Sequence, residues 1–380
     1  MTHVFVVDET TFKYHLEYKF AGTGAGDKKA PFLLSPTDTT CKVTTERMLV
    51  GMIADISRIR IGDNIIFYLQ SSQGAPGTFF GVFKVVSEPF FDENDQNNYL
   101  LNELHKGLSF RVLIDGNRVF SKGITEHEYL DSLKGKNHPS DLCWSLIYRK
   151  LKGNRGCTMI MDYEFNDLLK KLENKNNGQV INSDNFTFNC STKQIVANDT
   201  EHSYDGVKNP IDITNRLLYK FHRHNAFESH LQAYLTANFD KAPYKNLLLP
   251  LSDQTAWIGN EVSCGVGMQR IDIMLKQETQ TDVYIKVIEL KDEPPYRAII
   301  DYQIPWYLEW LSDYVLPKYI DKTIHVIPTV IAKGNIPAAL VSHFQNFNFN
   351  IQSASVSPLE YLGFDVDANN NIIITKYKYL

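Results

Sequence analysis

Residues 268–291 read MQRIDIMLKQETQTDVYIKVIELK, and this stretch decides the fold of the second half of the chain. Both of its ends are rich in apolar and β-branched residues, which is typical of β-strands, and the polar link between them has the composition of a hairpin turn. We therefore predict two neighbouring, paired strands. One carries Asp272 between two isoleucines, and the other ends in Glu289, Leu290 and Lys291.

Charged side chains converge at this hairpin. Side chains alternate faces along a strand, so Glu289 and Lys291 project to one side while Leu290 points to the other. Glu289 and Lys291 alone would fit a surface ion pair worth about 1 kcal/mol or less. Asp272 is harder to explain in that way, because a charge beside strand-core residues is costly unless it is paired or binds a metal ion. The pattern favours a functional site.

Composition limits the class of protein. The 380 residues predict two domains, and a hydrophobic content of 43% is enough to fill two cores. A formal net charge of -5 gives no global attraction for a polyanion, so a nucleic-acid site has to be a local patch. The 5 scattered cysteines favour reduced thiols over disulfides or a zinc site. Without a signal peptide or a membrane-spanning apolar run, we expect a soluble cytoplasmic protein.

The first half of the chain predicts a small β-rich domain. Residues 4–7 are typical of a buried strand, and the glycine-containing segment that follows, as far as residue 27, is typical of an exposed loop. Residues 61–69 and 79–86 predict a hairpin, and residues 110–114 predict another strand. Helices are predicted over 125–133, 141–151 and 162–172.

Residues 61–68, the segment FGVFKVVSEPFFD at 80–92 and the helix at Asp162 resemble EVE/YTH-type domains of the PUA-like superfamily. The resemblance covers roughly the first 170 residues. It implies a small β-barrel with helices that binds nucleic acid and, in several members, encloses a modified base. A flipped base needs flat apolar walls. Aromatic residues in short strands are more often core residues, and the sequence does not choose among the candidate walls, which are Phe79, Phe90, Phe91, Trp144 and Tyr148.

A polar, asparagine-rich segment at 174–179 follows the last predicted helix, and we place the domain boundary there. The predicted organisation is therefore a recognition domain over 1–174, a linker with a hairpin over 175–209, and a second domain over 210–380. An apolar stripe then predicts two short helices or one broken helix, and Glu228 begins the second of these.

The order helix, strand, strand, helix, with Glu228, Asp272 and the Glu289–Lys291 strand end, resembles the PD-(D/E)xK nuclease superfamily. Residues 303–310, QIPWYLEW, resemble the Gln-x-x-x-Tyr-x-x-Trp helix of NucS-type endonuclease domains. The resemblance covers roughly residues 210–335 and implies a mixed sheet flanked by helices, as in restriction endonucleases. Pro305 departs from a regular helix and places Gln303 at or just before the first helical turn.

This resemblance implies that Asp272 and Glu289 hold Mg²⁺, with the carbonyl of Leu290 as a third ligand and with Mn²⁺ able to substitute. Lys291 then orients the attacking water or helps to deprotonate it. The resemblance also implies that Glu228 completes the metal site through water and that Gln303 fixes the position of Lys291 or of the phosphate.

Three further residues are weaker candidates for the site. Glu261 is a weaker metal candidate, and its position favours an ordinary loop acid. His222 and His224 could contact DNA or a metal, but the pattern favours a solvated cluster at a helix end.

Together these features predict a Mg²⁺-dependent DNA endonuclease. Our first hypothesis is a restriction endonuclease that responds to a modified base. Cutting both strands of double-stranded DNA then calls for a homodimer or for transient pairing of two copies on DNA. The second hypothesis is a repair nuclease for mismatched or branched DNA, and the third is a nucleic-acid-binding protein that does not cleave. RNA stays open as a substrate. The sequence has no Gly-x-x-x-x-Gly-Lys-Ser/Thr loop, which argues against an NTP-driven activity.

Overall fold

The structure is a computed structural model that describes residues 1–24, 29–72, 74–93, 99–129, 138–141, 143, 156–264 and 269–378. The chain divides into two compact units. The first comprises Met1–Leu34 and Thr39–Ile211, and the second comprises Ser35–Asp38 and Asp212–Leu380. Among the described residues, no helix is both long and apolar enough to cross a membrane.

The first unit is built on one mixed sheet and a separate hairpin. Its strands are β1 (Thr2–Val7), β2 (Phe20–Thr23), β3 (Asn64–Leu69), β4 (Thr78–Val85), β5 (Phe90–Phe91), β6 (Phe110–Gly116), β7 (Ile124–Thr125), β8 (Cys157–Ile160), β9 (Phe186–Asn189), β10 (Gln194–Ala197) and β11 (Asn209–Pro210). Its helices are α1 (Glu9–Glu17), α2 (Pro31–Leu34), α3 (Val43–Ser57), α4 (Leu101–Leu104), α5 (Glu126–Tyr129) and α6 (Asp162–Lys175), with a 3₁₀ turn at Pro139–Asp141.

The main sheet runs in the order β11-β5-β6-β4-β3-β1-β8, and β2 and β7 pair with β6 and β4. The predicted hairpin of β3 and β4 is confirmed, as is that of β9 and β10. The second hairpin is part of this unit, because Phe186 and Phe188 are buried and the ring of Phe188 lies 4.9 Å from that of Phe12. The segment predicted as a linker over 175–209 therefore packs with the first unit, and the division falls after Ile211.

Two predictions for the first unit need correction or lie outside the described residues. The segment after β1 is not an exposed loop, because it forms α1 and β2 and buries Phe12, Leu16 and Phe20. Asp8 caps α1 by accepting a hydrogen bond from the amide of Thr11 at 2.8 Å. The predicted helix over 125–133 is described only as far as Tyr129, and most of the one over 141–151 lies outside the described residues.

The second unit is a mixed sheet with helices. Its strands are β12 (Trp257–Ser263), β13 (Arg270–Glu278), β14 (Asp282–Lys291), β15 (Thr323–Lys333), β16 (Ser355–Val356), β17 (Glu360–Val366) and β18 (Ile372–Lys376). Its helices are α7 (Thr214–His222), α8 (Glu228–Asn238), α9 (Lys245–Leu248), α10 (Ile304–Tyr314) and α11 (Val341–Gln345), with a π-helical turn at Ile299–Gln303 and 3₁₀ turns at Leu316–Lys318 and Ala338–Leu340.

The order of this sheet is β12-β13-β14-β15-β17-β18, and β16 also pairs with β15. The predicted hairpin is confirmed, since β13 and β14 are antiparallel neighbours. By contrast, β14 and β15 are parallel, which requires a crossover connection, and α10 lies within it. The interrupted helical stripe forms two helices, α7 and α8. The two strands of this hairpin, β13 and β14, therefore each lie between two other strands.

Candidate active site

The two central strands stop pairing at the predicted acids. Within the described residues, the pairing of β13 with β14 ends where Ile273 lies opposite Ile288. Asp272 and Glu289 follow immediately beyond that pair. The amide of Leu290 donates to Oδ2 of Asp272 at 2.7 Å, so a side chain of one strand binds the backbone of the other. This separation places both carboxylates at one end of the hairpin.

Glu289 is buried, with 1% of its side chain exposed, and three groups hold it. Its Oε1 accepts hydrogen bonds from Lys291 Nζ at 2.6 Å and from Gln303 Nε2 at 2.8 Å. Its Oε2 lies 2.8 Å from the hydroxyl of Tyr307. A buried carboxylate needs such partners, and here they also orient it.

Lys291 meets three oxygen atoms. Its ammonium donates to Glu289 Oε1, to the carbonyl of Leu290 at 2.6 Å and to Glu228 Oε2 at 3.3 Å. Burial lowers the pKa of Lys291, but the carboxylates of Glu289, Asp272 and Glu228 raise it, and the net pKa lies above the ordinary value. The side chain is therefore a cation in this arrangement and donates hydrogen bonds to the oxygens around it.

The acids outnumber this lysine. Burial raises the pKa of Asp272 well above its ordinary value, Glu289 and Glu228 raise it further, and Lys291 opposes them. Burial also raises the pKa of Glu228, and Lys291 again opposes the shift. Three carboxyl groups against one ammonium leave surplus negative charge when all are ionised.

Gln303 is aimed by an irregular helix start. It ends the π-helical turn directly before α10, and Pro305 occupies the first turn of α10, where a missing N–H costs no helical bond. This agrees with the position predicted from Pro305. The Gln303 amide binds Glu289 and the hydroxyl of Tyr307, at 2.7 Å for the latter, so it contacts Glu289 where the sequence led us to expect Lys291 or a phosphate.

Sequence reasoning missed three residues around this cluster. Tyr307 lies in the segment that carried the NucS-type resemblance, but its contact with Glu289 was not predicted. Asp292 accepts hydrogen bonds from the amides at the start of α8, and Gln232 on α8 donates to the carbonyl of Asp272. Asp292 lies 64 residues after the start of α8, so no local sequence pattern signals this contact.

Other candidates lie elsewhere or have different partners. Glu261 lies on β12 and not in a loop as predicted, has a φ of 51° and forms an ion pair with Arg270 at 2.6 Å. His222 lies 2.8 Å from the side-chain oxygen of Asn370, and His224 is exposed at the turn before α8.

The predicted Mg²⁺ ligands are two carboxylates and a carbonyl, and all of them are oxygen donors of the kind that hard cations prefer. Among the described residues, no three His, Cys, Asp or Glu side chains are arranged to hold one metal ion. The ammonium of Lys291 contacts two of the predicted ligands, Glu289 Oε1 and the Leu290 carbonyl. The donor chemistry and the surplus of acid fit a divalent cation.

The aromatic wall candidates of the first unit are core residues where they are described. Phe79, Phe90 and Phe91 are 0%, 4% and 1% exposed. Phe79 lies 4.9 Å from the Tyr68 ring, and Phe91 stacks on Phe110. These three therefore present no face to a base in this structure, which corrects the prediction for them. Trp144 and Tyr148 lie outside the described residues.

No family model and no curated protein matches the chain. Solved structures resemble its N-terminal half. They include a hypothetical protein from Leishmania major (10% identity, 46% of this chain and 95% of that chain, TM-score 0.29), the human THYN1 protein in complex with 5-methylcytosine-containing DNA (12%, 45% and 97%, TM-score 0.25), and the DUF55 domain of human thymocyte nuclear protein 1 (14%, 46% and 99%, TM-score 0.28).

Proposed function

We propose that this protein is a Mg²⁺-dependent DNA endonuclease. The observation that carries the proposal is that Glu289 and Glu228 contact Lys291 while Asp272 binds the amide of Leu290, at the point where β13 and β14 stop pairing. Hydrolysis of a phosphodiester requires an activated water and neutralisation of the charge that grows on the phosphate. The elements α8, β13, β14 and α10 follow one another in the helix-strand-strand-helix order of the PD-(D/E)xK resemblance, with α9 and β12 between α8 and β13.

In this proposal Asp272, Glu289 and the Leu290 carbonyl hold Mg²⁺, and Mn²⁺ can replace it. When bound, the metal ion lowers the pKa of a coordinated water and offsets phosphate charge. Lys291, a cation in this arrangement, donates a hydrogen bond to the attacking water or to a phosphate oxygen. Gln303 and Tyr307 orient Glu289. Glu228, with a partly exposed carboxyl beside the ammonium, completes the metal site through water.

The first unit is proposed as the recognition domain, because its sequence resembles EVE/YTH-type domains. A reading domain joined to a cleavage domain supports a restriction endonuclease, and cleavage of both strands supports action as a homodimer. One similar solved structure contains 5-methylcytosine DNA, so that base is the first modification to test.

The test is cleavage by the full chain of matched duplexes with and without 5-methylcytosine, in Mg²⁺ and in EDTA. Asp272→Ala and Lys291→Ala should abolish cleavage, whereas Asp365→Ala, an exposed acid on β17, should retain it. Equal cutting by the parent and the two site variants would remove the site assignment. Mismatched and branched duplexes form further arms, since preference for them over perfectly paired modified DNA indicates repair. Failure to cut any duplex, single strand or RNA indicates a binding protein.

A further inference from the structure

We propose that Asp292 and Gln232 are positioning residues that hold α8 against both acid-bearing strands, so that Glu228 faces Lys291. The inference rests on the proposed function and assigns roles to two residues outside the predicted site. In the hydrogen bonds that define the site, neither Asp292 nor Gln232 contacts Lys291 or Glu289.

The first link joins the end of β14 to the start of α8. The first amides of a helix need acceptors, and the side chain of Phe227, which precedes α8, supplies none. Oδ2 of Asp292 accepts from the amide of Phe227 at 2.8 Å and lies 3.4 Å from that of Glu228. A residue adjacent to Lys291 thus caps the helix that bears Glu228.

The second link joins α8 to β13. Gln232 lies one helical turn after Glu228 and is buried, with 4% exposure. Its Nε2 donates to the backbone carbonyl of Asp272 at 2.8 Å. Together the two links join the start of α8 to the backbone of β13 at Asp272 and to Asp292, which directly follows β14.

These links matter because the Glu228–Lys291 contact is weak by itself. The distance is 3.3 Å and 34% of the Glu228 side chain is exposed, so solvent screens the pair. Such a contact does not order a helix terminus. The position of Glu228 is instead set by the hydrogen bonds that fix the helix around it, and loss of those bonds should act on the metal site through Glu228.

A double-mutant cycle on Mn²⁺ binding, measured by calorimetry of the full chain without DNA, tests this role. Asp292→Ala should weaken Mn²⁺ binding about 10-fold or more, as is typical when a group that orients a ligand is removed. Because it acts through Glu228, the loss should not add to that of Glu228→Gln in the double variant. Asp292→Asn, which can still cap, should restore most of the affinity. Gln232→Met, which removes the donor, should weaken binding in the same manner.

Asp272→Asn is the reference that separates the two proposals. If it abolishes Mn²⁺ binding while Asp292→Ala and Gln232→Met bind as the parent does, or if the double variant shows fully additive losses, the positioning role is overturned and the metal site stands. If Asp272→Asn binds Mn²⁺ as well as the parent, the proposed metal site fails, and the positioning role fails with it. Asp292→Asn and Gln232→Met keep the cycle measurable if Asp292→Ala does not fold.

Discussion

Each unit buries a cation among acids, but the two clusters differ in charge balance. In the first unit the guanidinium of Arg111 is fully buried, pairs with Asp92 at 3.0 Å and donates to the Tyr204 hydroxyl and to two backbone carbonyls. In the second unit the ammonium of Lys291 contacts the carboxyl groups of Glu289 and Glu228, and the nearby Asp272 also raises its pKa. The first cluster is a balanced ion pair, whereas the second has more acid than one ammonium can offset.

The difference separates a structural role from a chemical one. A buried ion pair with matched charges has no need of a further counter-charge, although it is sensitive to loss of either partner. Surplus acid has the opposite character: burial raises the pKa of Asp272, and repulsion from Glu289 and Glu228 raises it further. Perturbed groups of this kind concentrate at functional sites.

The largest effect is expected from a substitution in the acid cluster of the second unit. Asp272→Asn should lower the cleavage rate by about 10³-fold, since one preorganised charge is removed from the site. The same change should leave the free energy of unfolding in EDTA unchanged or higher, because it removes surplus charge. Single-turnover cleavage and urea unfolding measure the two quantities. A clear loss of stability would show that Asp272 is a structural residue like Asp92.

The opposite result is expected at the balanced pair. Asp92→Asn leaves the buried Arg111 without its counter-charge and should lower the free energy of unfolding by about 3 kcal/mol. Asp115→Asn, an exposed acid on the same strand as Arg111, is the matched control. Urea unfolding gives the size of the loss, and hydrogen exchange in β6 locates it. Equal stability of the two variants would remove the distinction drawn here.

Low pH should lower the stability of the first unit, because this unit contains a buried, neutral histidine. His15 lies 3.0 Å from the carbonyl of Phe20, and burial lowers its pKa to about 3. An unfolded histidine titrates near pH 6.5, so below that pH the unfolded chain binds a proton that the folded chain does not. Its contribution to stability is complete above about pH 6.5 and falls as the pH drops toward about 3.

His15→Gln keeps a donor for the Phe20 carbonyl and removes the titration. Between pH 7.5 and 5 the parent should therefore lose about 2 kcal/mol more stability than the variant. Urea unfolding at a series of pH values gives this difference. Parallel pH dependence in the two proteins would contradict a neutral buried His15.

The smallest effect is expected for Glu261, an acid on β12, which is the strand next to β13. Glu261→Gln should change the cleavage rate by less than about threefold and stability by less than about 1 kcal/mol, because its partner Arg270 is 42% exposed. A loss as large as that of Asp272→Asn would make Glu261 a fourth acid of the site.

Much of the second unit could be predicted from the sequence because its signals are local. The β-branched and apolar residues on either side of a polar link predicted β13 and β14, and Pro305 predicted where the helix after them begins. The first unit was harder. Helix α1 was interpreted as part of a loop, and α3 was not predicted. The stability of such helices comes mainly from packing of their buried faces against the rest of the unit, which the local sequence does not show.

The sequence by itself determined that Glu289 and Lys291 share a face, because side chains in a strand alternate with a period of two. It also determined that Asp272 needs a partner. Only the tertiary structure decided how many acids meet the ammonium and which groups hold them. Asp292 reaches the amide of a residue 64 positions earlier, and Tyr307 reaches Glu289 across 18 positions. Such contacts depend on how strands and helices pack, which no local pattern of residues encodes.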